Sequence, residues 1–134
     1  MRTGQELLRV VALELRRFGN PPRQPQRIDR DAAIRSIDAA ATARVPRYLM
    51  VSYFGAGPDH GIDPSDSFYA YAESKAAADA HLRASALDWT ILAPSSLTLA
   101  PPTGRIDVTA DTSRSVARAD VAAVIAASID EPAT

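Results

Sequence analysis

The sequence predicts an α/β fold in which parallel strands are flanked by helices, and three observations carry that prediction. Two short, nearly continuous apolar runs, "RYLMVSY" (47–53) and "LDWTILAP" (87–94), read as strands covered on both faces, as in parallel sheets. Between them, residues 68–85 repeat at helical spacing, with Ala72, Lys75, Ala78 and Leu82 in register. A strand, a loop, a helix and a second strand in that order make a parallel pair joined by a right-handed crossover.

The remaining elements follow along the chain. "MRTGQELLRVVALELRRFG" reads as an amphipathic helix with Leu7, Leu8, Val11, Leu15 and Phe18 on one side. Its arginines suggest an organelle transit peptide, but Glu6 and Glu14 oppose that reading, because such peptides are poor in acids. "GNPPRQPQR" (19–27) is a linker rich in proline and arginine. From Ile28, a helix capped by Asp29 or Asp31 places Ala33, Ile34, Ile37, Ala40 and Ala41 on one face. The strand over 47–53 leads into a long glycine- and proline-bearing loop, "FGAGPDHGIDPSDS" (54–67). Pro94 stops the second strand. "GRIDVTA" (104–110) reads as a third, partly exposed strand. A final helix begins near Ala117, aligns Val121, Val124, Ile125 and Ile129, and ends before Pro132.

Composition excludes several function classes. The 134 residues suit one domain or part of one, and 46% are hydrophobic, enough for a packed core. With 15 basic and 16 acidic residues, the chain has no general positive field for nucleic acid. It has no cysteine, and His60 and His81 form no metal-binding pair, so no metal site is expected. Asp59, Asp63 and Asp66 crowd the long loop beside His60, but their spacing is not that of a calcium loop, and solvated acids are the expectation. No apolar run reaches the roughly 20 residues of a membrane span. A cytoplasmic protein is expected.

One residue directs the search for chemistry. Of 15 basic residues a single one is lysine, and Lys75 stands four after Tyr71 on the predicted helix. Residues at i and i+4 share a helix face with Cβ atoms roughly 5–6 Å apart. Ligands in parallel sheets bind beyond the carboxyl ends of the strands, which here are Ser52–Tyr53 and Pro94–Ser96. The loop after Ser52 therefore brings Ser52, Tyr71 and Lys75 to one crevice. A free phenol titrates near 10, and a neighbouring ammonium favours the phenolate, moving it towards the working range of an acid/base. A serine hydroxyl across the site orients a substrate oxygen. The same i, i+4 pair also fits ordinary surface decoration, and Ser95 and Ser96 equally fit the plain role of ending a strand.

The pattern "YAESK" (71–75) resembles the YxxxK pair of the short-chain dehydrogenase/reductase superfamily. "RYLMVSYFGA" is similar to its strand bearing the active-site serine. "AAADAHLRASALDWTILAPSSLT" and "VARADVAAVIAASIDEPA" resemble the atypical, single-domain NAD(P)-binding branch, so the likeness covers about Ile28 to Thr134. The resemblance implies a partial Rossmann-like parallel sheet, NAD or NADP as cofactor, and a small substrate with a carbonyl or hydroxyl. It implies Tyr71 as acid/base, Lys75 as its modulator and ribose contact, and Ser52 as the orienting hydroxyl. Pro94, Ser95 and Ser96 stand as further cofactor contacts. The implied reaction is hydride transfer or an epimerase/dehydratase variant.

The sequence departs from the family in three places. No GxGxxG turn follows a first strand; "GAGPDHG" (55–61) comes after a later strand, has different spacing and reads as a loop. The nucleotide-binding N-terminal half is thus expected to be missing, with residues 1–27 an atypical helix and linker ahead of a truncated domain over 28–134. Ala93 replaces the arginine of a "TILRP"-like strand end, and Tyr53 stands where a second serine is common. These departures leave open an inactive chain, a non-catalytic NAD(P)-binding regulatory module, or a fragment acting through association as a homo-oligomer.

Overall fold

The computed structural model describes residues 26–131. The amphipathic helix expected at the N-terminus and nearly all of the linker lie outside the described residues. A π-helical segment, Gln26–Ala32, runs into α1 (Ala33–Thr42), followed by β1 (Tyr48–Val51), α2 (Tyr69–Ala84), β2 (Trp89–Leu92), β3 (Ser96–Thr98), β4 (Ser115–Ala117) and α3 (Arg118–Asp130).

β1 and β2 pair in parallel, Tyr48 opposite Trp89 and Val51 opposite Leu92, as the strand–helix–strand order requires. Side chains of a strand alternate between faces. On one face Tyr48, Met50, Trp89 and Ile91 meet Ala33 and Ile37 of α1 and Ala78 and Leu82 of α2, which together form the core. Ile37 and Leu82 are fully buried there. Removing a side chain of this size from water contributes about 1.5–3 kcal/mol. The opposite face carries Arg47 and Thr90, and the Arg47 guanidinium reaches the Ser128 carbonyl of α3 through Nε at 3.2 Å and Nη2 at 3.1 Å. The same Nη2 donates to Thr90 Oγ1 at 2.6 Å, and Nη1 meets Asp88 at 2.9 Å. Helices therefore cover both faces, which explains why both strands read as continuous apolar runs.

Three expectations change. Residues 104–110 form no strand, and Ile106 and Val108 are 48% and 82% exposed. The remaining pairing comes instead from β3 and β4, a parallel pair in a second sheet with Ser96 opposite Ser115. Alternating apolar residues without a surface to cover leave 104–110 as loop. Neither Asp29 nor Asp31 caps α1: the helix continues directly from the π-helical segment, its cap position is Ala32, and no side chain caps it. Asp31 pairs with Arg30 at 2.7 Å instead. On α1, Ala33, Ile37 and Ala40 are buried as the periodicity predicts, while Ala41 is exposed. Among the described residues no helix is long and apolar enough to cross a membrane.

Candidate active site

β1 ends one residue before Ser52, and its alternation decides what Ser52 faces. Tyr48 and Met50 point to the α1/α2 side, so Ser52 does too. Its buried Oγ donates to Asp79 Oδ2 of α2 at 2.7 Å. The main chain keeps to β2 beyond the formal strand, with Ser52 N–H donating to the Leu92 carbonyl at 2.7 Å and Phe54 N–H to the Pro94 carbonyl at 2.9 Å. Proline has no N–H to give, but its carbonyl still accepts, so Pro94 ends the strand and holds the segment after β1 in place.

Lys75 lies on the same face of α2 as Ala72, Ala78, Asp79 and Leu82, all buried. It is itself only 7% exposed. Its Nζ donates to the carbonyl oxygen of Val51, the last residue of β1, at 2.7 Å. An arginine there would bring a wider planar fork, whereas a lysine ends in a compact charge with three donor directions. The single lysine therefore ties α2 to the carboxyl end of β1.

Tyr71, one turn earlier, is half-buried in an aromatic group. Its ring centroid lies 5.7 Å from that of Tyr53 and 5.0 Å from that of Phe68, and Tyr53 meets Phe68 edge-on at 5.3 Å. The loop places Phe68 through a hydrogen bond from its N–H to Asp66 Oδ1 at 2.7 Å. A second tie comes from His60, whose Nδ1 accepts from Ile62 N–H at 3.0 Å. Its proton is thus assigned to Nε2, which meets Glu73 Oε1 at 2.8 Å. Asp63 turns onto Ser65 and Asp66 onto Phe68, so these two loop acids serve as turn residues.

The structure thus brings Ser52, Tyr71 and Lys75 to one end of the β1–β2 pair, with Pro94 held beside Phe54. Ser95 follows Pro94, while Ser96 is exposed and opens β3, so it belongs to the second sheet. Arg114 and Arg118 are exposed.

Two further residues belong to this region: Asp79, which the sequence reading passed over, and Tyr53, which it noted only at the strand end and in place of a serine. Asp79 is 0% exposed; burial pushes its carboxyl above the usual range, against the opposing pull of the Ser52 hydrogen bond and of Lys75 and Arg83. Among the described residues, the buried Oδ1 of Asp79 has no hydrogen-bond partner, and neither has the hydroxyl of Tyr53. Burial chiefly, then the charges of Asp79 and Glu73, raises the Tyr53 phenol above its ordinary value and keeps it neutral. Spacing could have revealed Asp79, because it stands four residues after Lys75 on the same helix. Tyr53 was marked only by its place at the carboxyl end of the first strand.

Residues 4–132 match the NAD(P)H-binding family. The chain belongs to that family. It is 37% identical over 109 residues to the uncharacterized sugar epimerase YhfK of Bacillus subtilis, a match covering 80% of this chain and 50% of YhfK. Among solved structures, a Bacillus halodurans protein assigned as an NAD-dependent epimerase/dehydratase superposes with a TM-score of 0.75 at 33% identity, covering 84% of this chain and 55% of that one. The oxidoreductase ylbE of Lactococcus lactis gives 0.73 at 31% identity, covering 83% and 52%. The chain spans about half the length of these relatives. NAD(P)H-binding proteins of this kind are Rossmann-like, and the parallel β1–β2 pair between helices is the corresponding part of that fold. The donor set at the site, a phenol, an ammonium and a hydroxyl, fits the sugar hydroxyls of a dinucleotide better than a metal ion.

Proposed function

We propose that this chain supplies the proton-handling side of an NAD(P)-dependent oxidoreductase of the atypical short-chain type. The reaction is hydride transfer at a carbonyl or alcohol carbon, or an epimerase/dehydratase variant of it. The observation that carries the reading is the placement of Lys75. A buried ammonium is costly unless partnered, and this one is held against the Val51 carbonyl at the carboxyl end of β1, one helical turn from Tyr71.

Tyr71 is the acid/base, giving a proton to a carbonyl oxygen on reduction and taking one from an alcohol on oxidation. A cation beside a phenol favours its ionised form, so Lys75 eases each exchange. Lys75 and Ser52, with Ser95 beyond Pro94, are the residues that would hold the cofactor's ribose and nicotinamide. The bound nicotinamide supplies or accepts the hydride. Packing of Tyr53 and Phe68 around the Tyr71 ring keeps water from one side of the phenol. Ser52 orients the substrate oxygen.

One observation favours a second reading, a non-catalytic NAD(P)-binding regulatory module. The Ser52 hydroxyl is directed inward to Asp79. Titration of the purified chain with NADPH and NADH, followed by calorimetry, tests both readings. Binding lost in Lys75→Ala and kept in Arg35→Ala, on the exposed side of α1, supports them; no binding at millimolar cofactor removes them. Turnover against a panel of carbonyl compounds, lost in Tyr71→Phe, then singles out the enzyme.

A further inference from the structure

Tyr71, Lys75 and Asp79 follow one another at intervals of four along α2, so one helix face carries a phenol, an ammonium and a carboxyl in line. The carboxyl is the least accessible of the three, and its only partner among the described hydrogen bonds is Ser52 Oγ at 2.7 Å. A serine hydroxyl has one proton. While Asp79 is ionised it can only accept, so that proton is committed to Oδ2. Ser52 then has lone pairs alone to offer a substrate oxygen. It can take a hydrogen bond from an alcohol but cannot give one to a carbonyl.

A proton added to Asp79 changes the direction of the bond. On Oδ1 it has no described acceptor, whereas on Oδ2 it lies within hydrogen-bond reach of Ser52 Oγ. The carboxyl then donates to Ser52, and the serine proton turns outward to meet a carbonyl oxygen. One proton enters from solvent and none is lost.

We propose that Asp79 is a positioning residue whose carboxyl, by holding or releasing the Ser52 proton, decides whether Ser52 meets the substrate as hydrogen-bond acceptor or donor. This rests on the oxidoreductase reading of the site. Burial, which raises the Asp79 carboxyl, brings the change closer to working pH. The charges acting on it from its own helix are Lys75 and Arg83, and the Tyr53 phenol after β1 is raised by it. Of the elements packed on α2, the π-helical segment carries Arg27 and Asp29 and an Arg30–Asp31 pair, and α1 carries Arg35 together with Asp38, which is paired with His81 of α2. Arg47 and Asp88 lie on the far face of the β1–β2 pair.

The test has two arms on the full chain. In the first, carbon-13 NMR of chain labelled at the aspartate carboxyls is followed against pH without cofactor. One carboxyl should titrate above all the others, vanish in Asp79→Asn and move higher still in Ser52→Ala, which removes the hydrogen bond favouring the ionised form. An Asp79 signal that titrates with the remaining aspartates, or ignores Ser52→Ala, overturns the proposal, and the Ser52→Ala comparison stands even if Asp79→Asn folds poorly. In the second arm, kcat/KM for the carbonyl compound turned over best is measured against pH. The wild type should fall ~10-fold per pH unit above the Asp79 midpoint, and Asp79→Asn, which stays neutral, should lack that step. Parallel profiles overturn the proposal. A positive first arm with no turnover on any compound refutes the oxidoreductase reading instead, and removes the catalytic use of the switch with it.

Discussion

The Lys75 ammonium and the Val51 carbonyl oxygen, 2.7 Å apart, join the middle of α2 to the last residue of β1. The bond fixes the height of the helix against the strand, and with it the level at which Tyr71 stands one turn earlier. Lys75→Ala should therefore do two things. It leaves the part-buried Val51 carbonyl without this donor, a cost of about 1 kcal/mol that a urea midpoint reads. It should also abolish measurable NAD(P)H binding by calorimetry. Lys75→Arg should restore the charge without restoring binding, because a planar fork does not fit where an ammonium points.

Tyr71→Phe keeps the ring that packs against Tyr53 and Phe68, and removes only the hydroxyl. Stability and cofactor affinity should change little, while turnover falls about 10²–10⁴-fold, the range for losing a positioned acid/base. Steady-state kinetics with matched calorimetry checks this. A variant retaining wild-type turnover would take Tyr71 out of the mechanism.

Asp79 makes stability depend on pH in an unusual direction. Its folded value is raised, so the folded chain binds the proton more tightly than the unfolded chain does. Its contribution is complete below the unfolded value of about 3.9 and is lost as pH rises through the folded value. Urea midpoints of wild type minus Asp79→Asn should fall across that window and level off above it. A difference that rises with pH would reverse the assignment.

Legibility in the sequence followed the strength of each local signal. The α2 face was readable because Ala72, Lys75, Ala78 and Leu82 repeat over three turns, and all four are buried. The two core strands were readable because helices cover both of their faces. β3 and β4 were not, since each is three residues long and neither "SLT" nor "SVA" forms a run. They exist through pairing across the intervening loop, a long-range effect that no local window contains. "GRIDVTA" failed in the opposite way: its alternation is strand-like, but no sheet edge among the described residues receives it. In the site, the lysine stood out by its singularity. Asp79 sits among alanines, where a charge reads as solvent-facing, and only the position of Ser52 on the facing strand reveals its partner.

Asp120 is the buried residue of α3, and it gathers the loop ahead of β4. Its carboxylate accepts from Gly104 N–H at 2.9 Å and from Thr103 N–H and Oγ1, each at 2.9 Å to Oδ2. These bonds, the backbone ones first, hold its carboxyl below the usual range. The sign is opposite to that of Asp79. Its stabilisation is present above the unfolded value and lost as pH falls through the folded one. Asp120→Asn should lower the melting temperature at neutral pH and narrow its gap to wild type in acid. Hydrogen exchange at the Thr103 and Gly104 amides should quicken at the same time.

Arg47 shows how little of a buried charge's role depends on charge alone. Its guanidinium uses three nitrogens at once, on the Ser128 carbonyl, Asp88 and Thr90 Oγ1, joining α3 to the strand pair from the side opposite the core. A lysine keeps the charge but offers one nitrogen, which can reach only part of that set. Arg47→Lys should therefore cost about 1–3 kcal/mol through the acceptors left unpaired, with the Ser128 carbonyl the most sensitive because both Nε and Nη2 serve it. Amide exchange in α3 should speed up while that in α2 does not, since α2 packs on the other face. Equal acceleration in both helices would mean that the two layers unfold as one unit, and that Arg47 is not the tie between α3 and the strands.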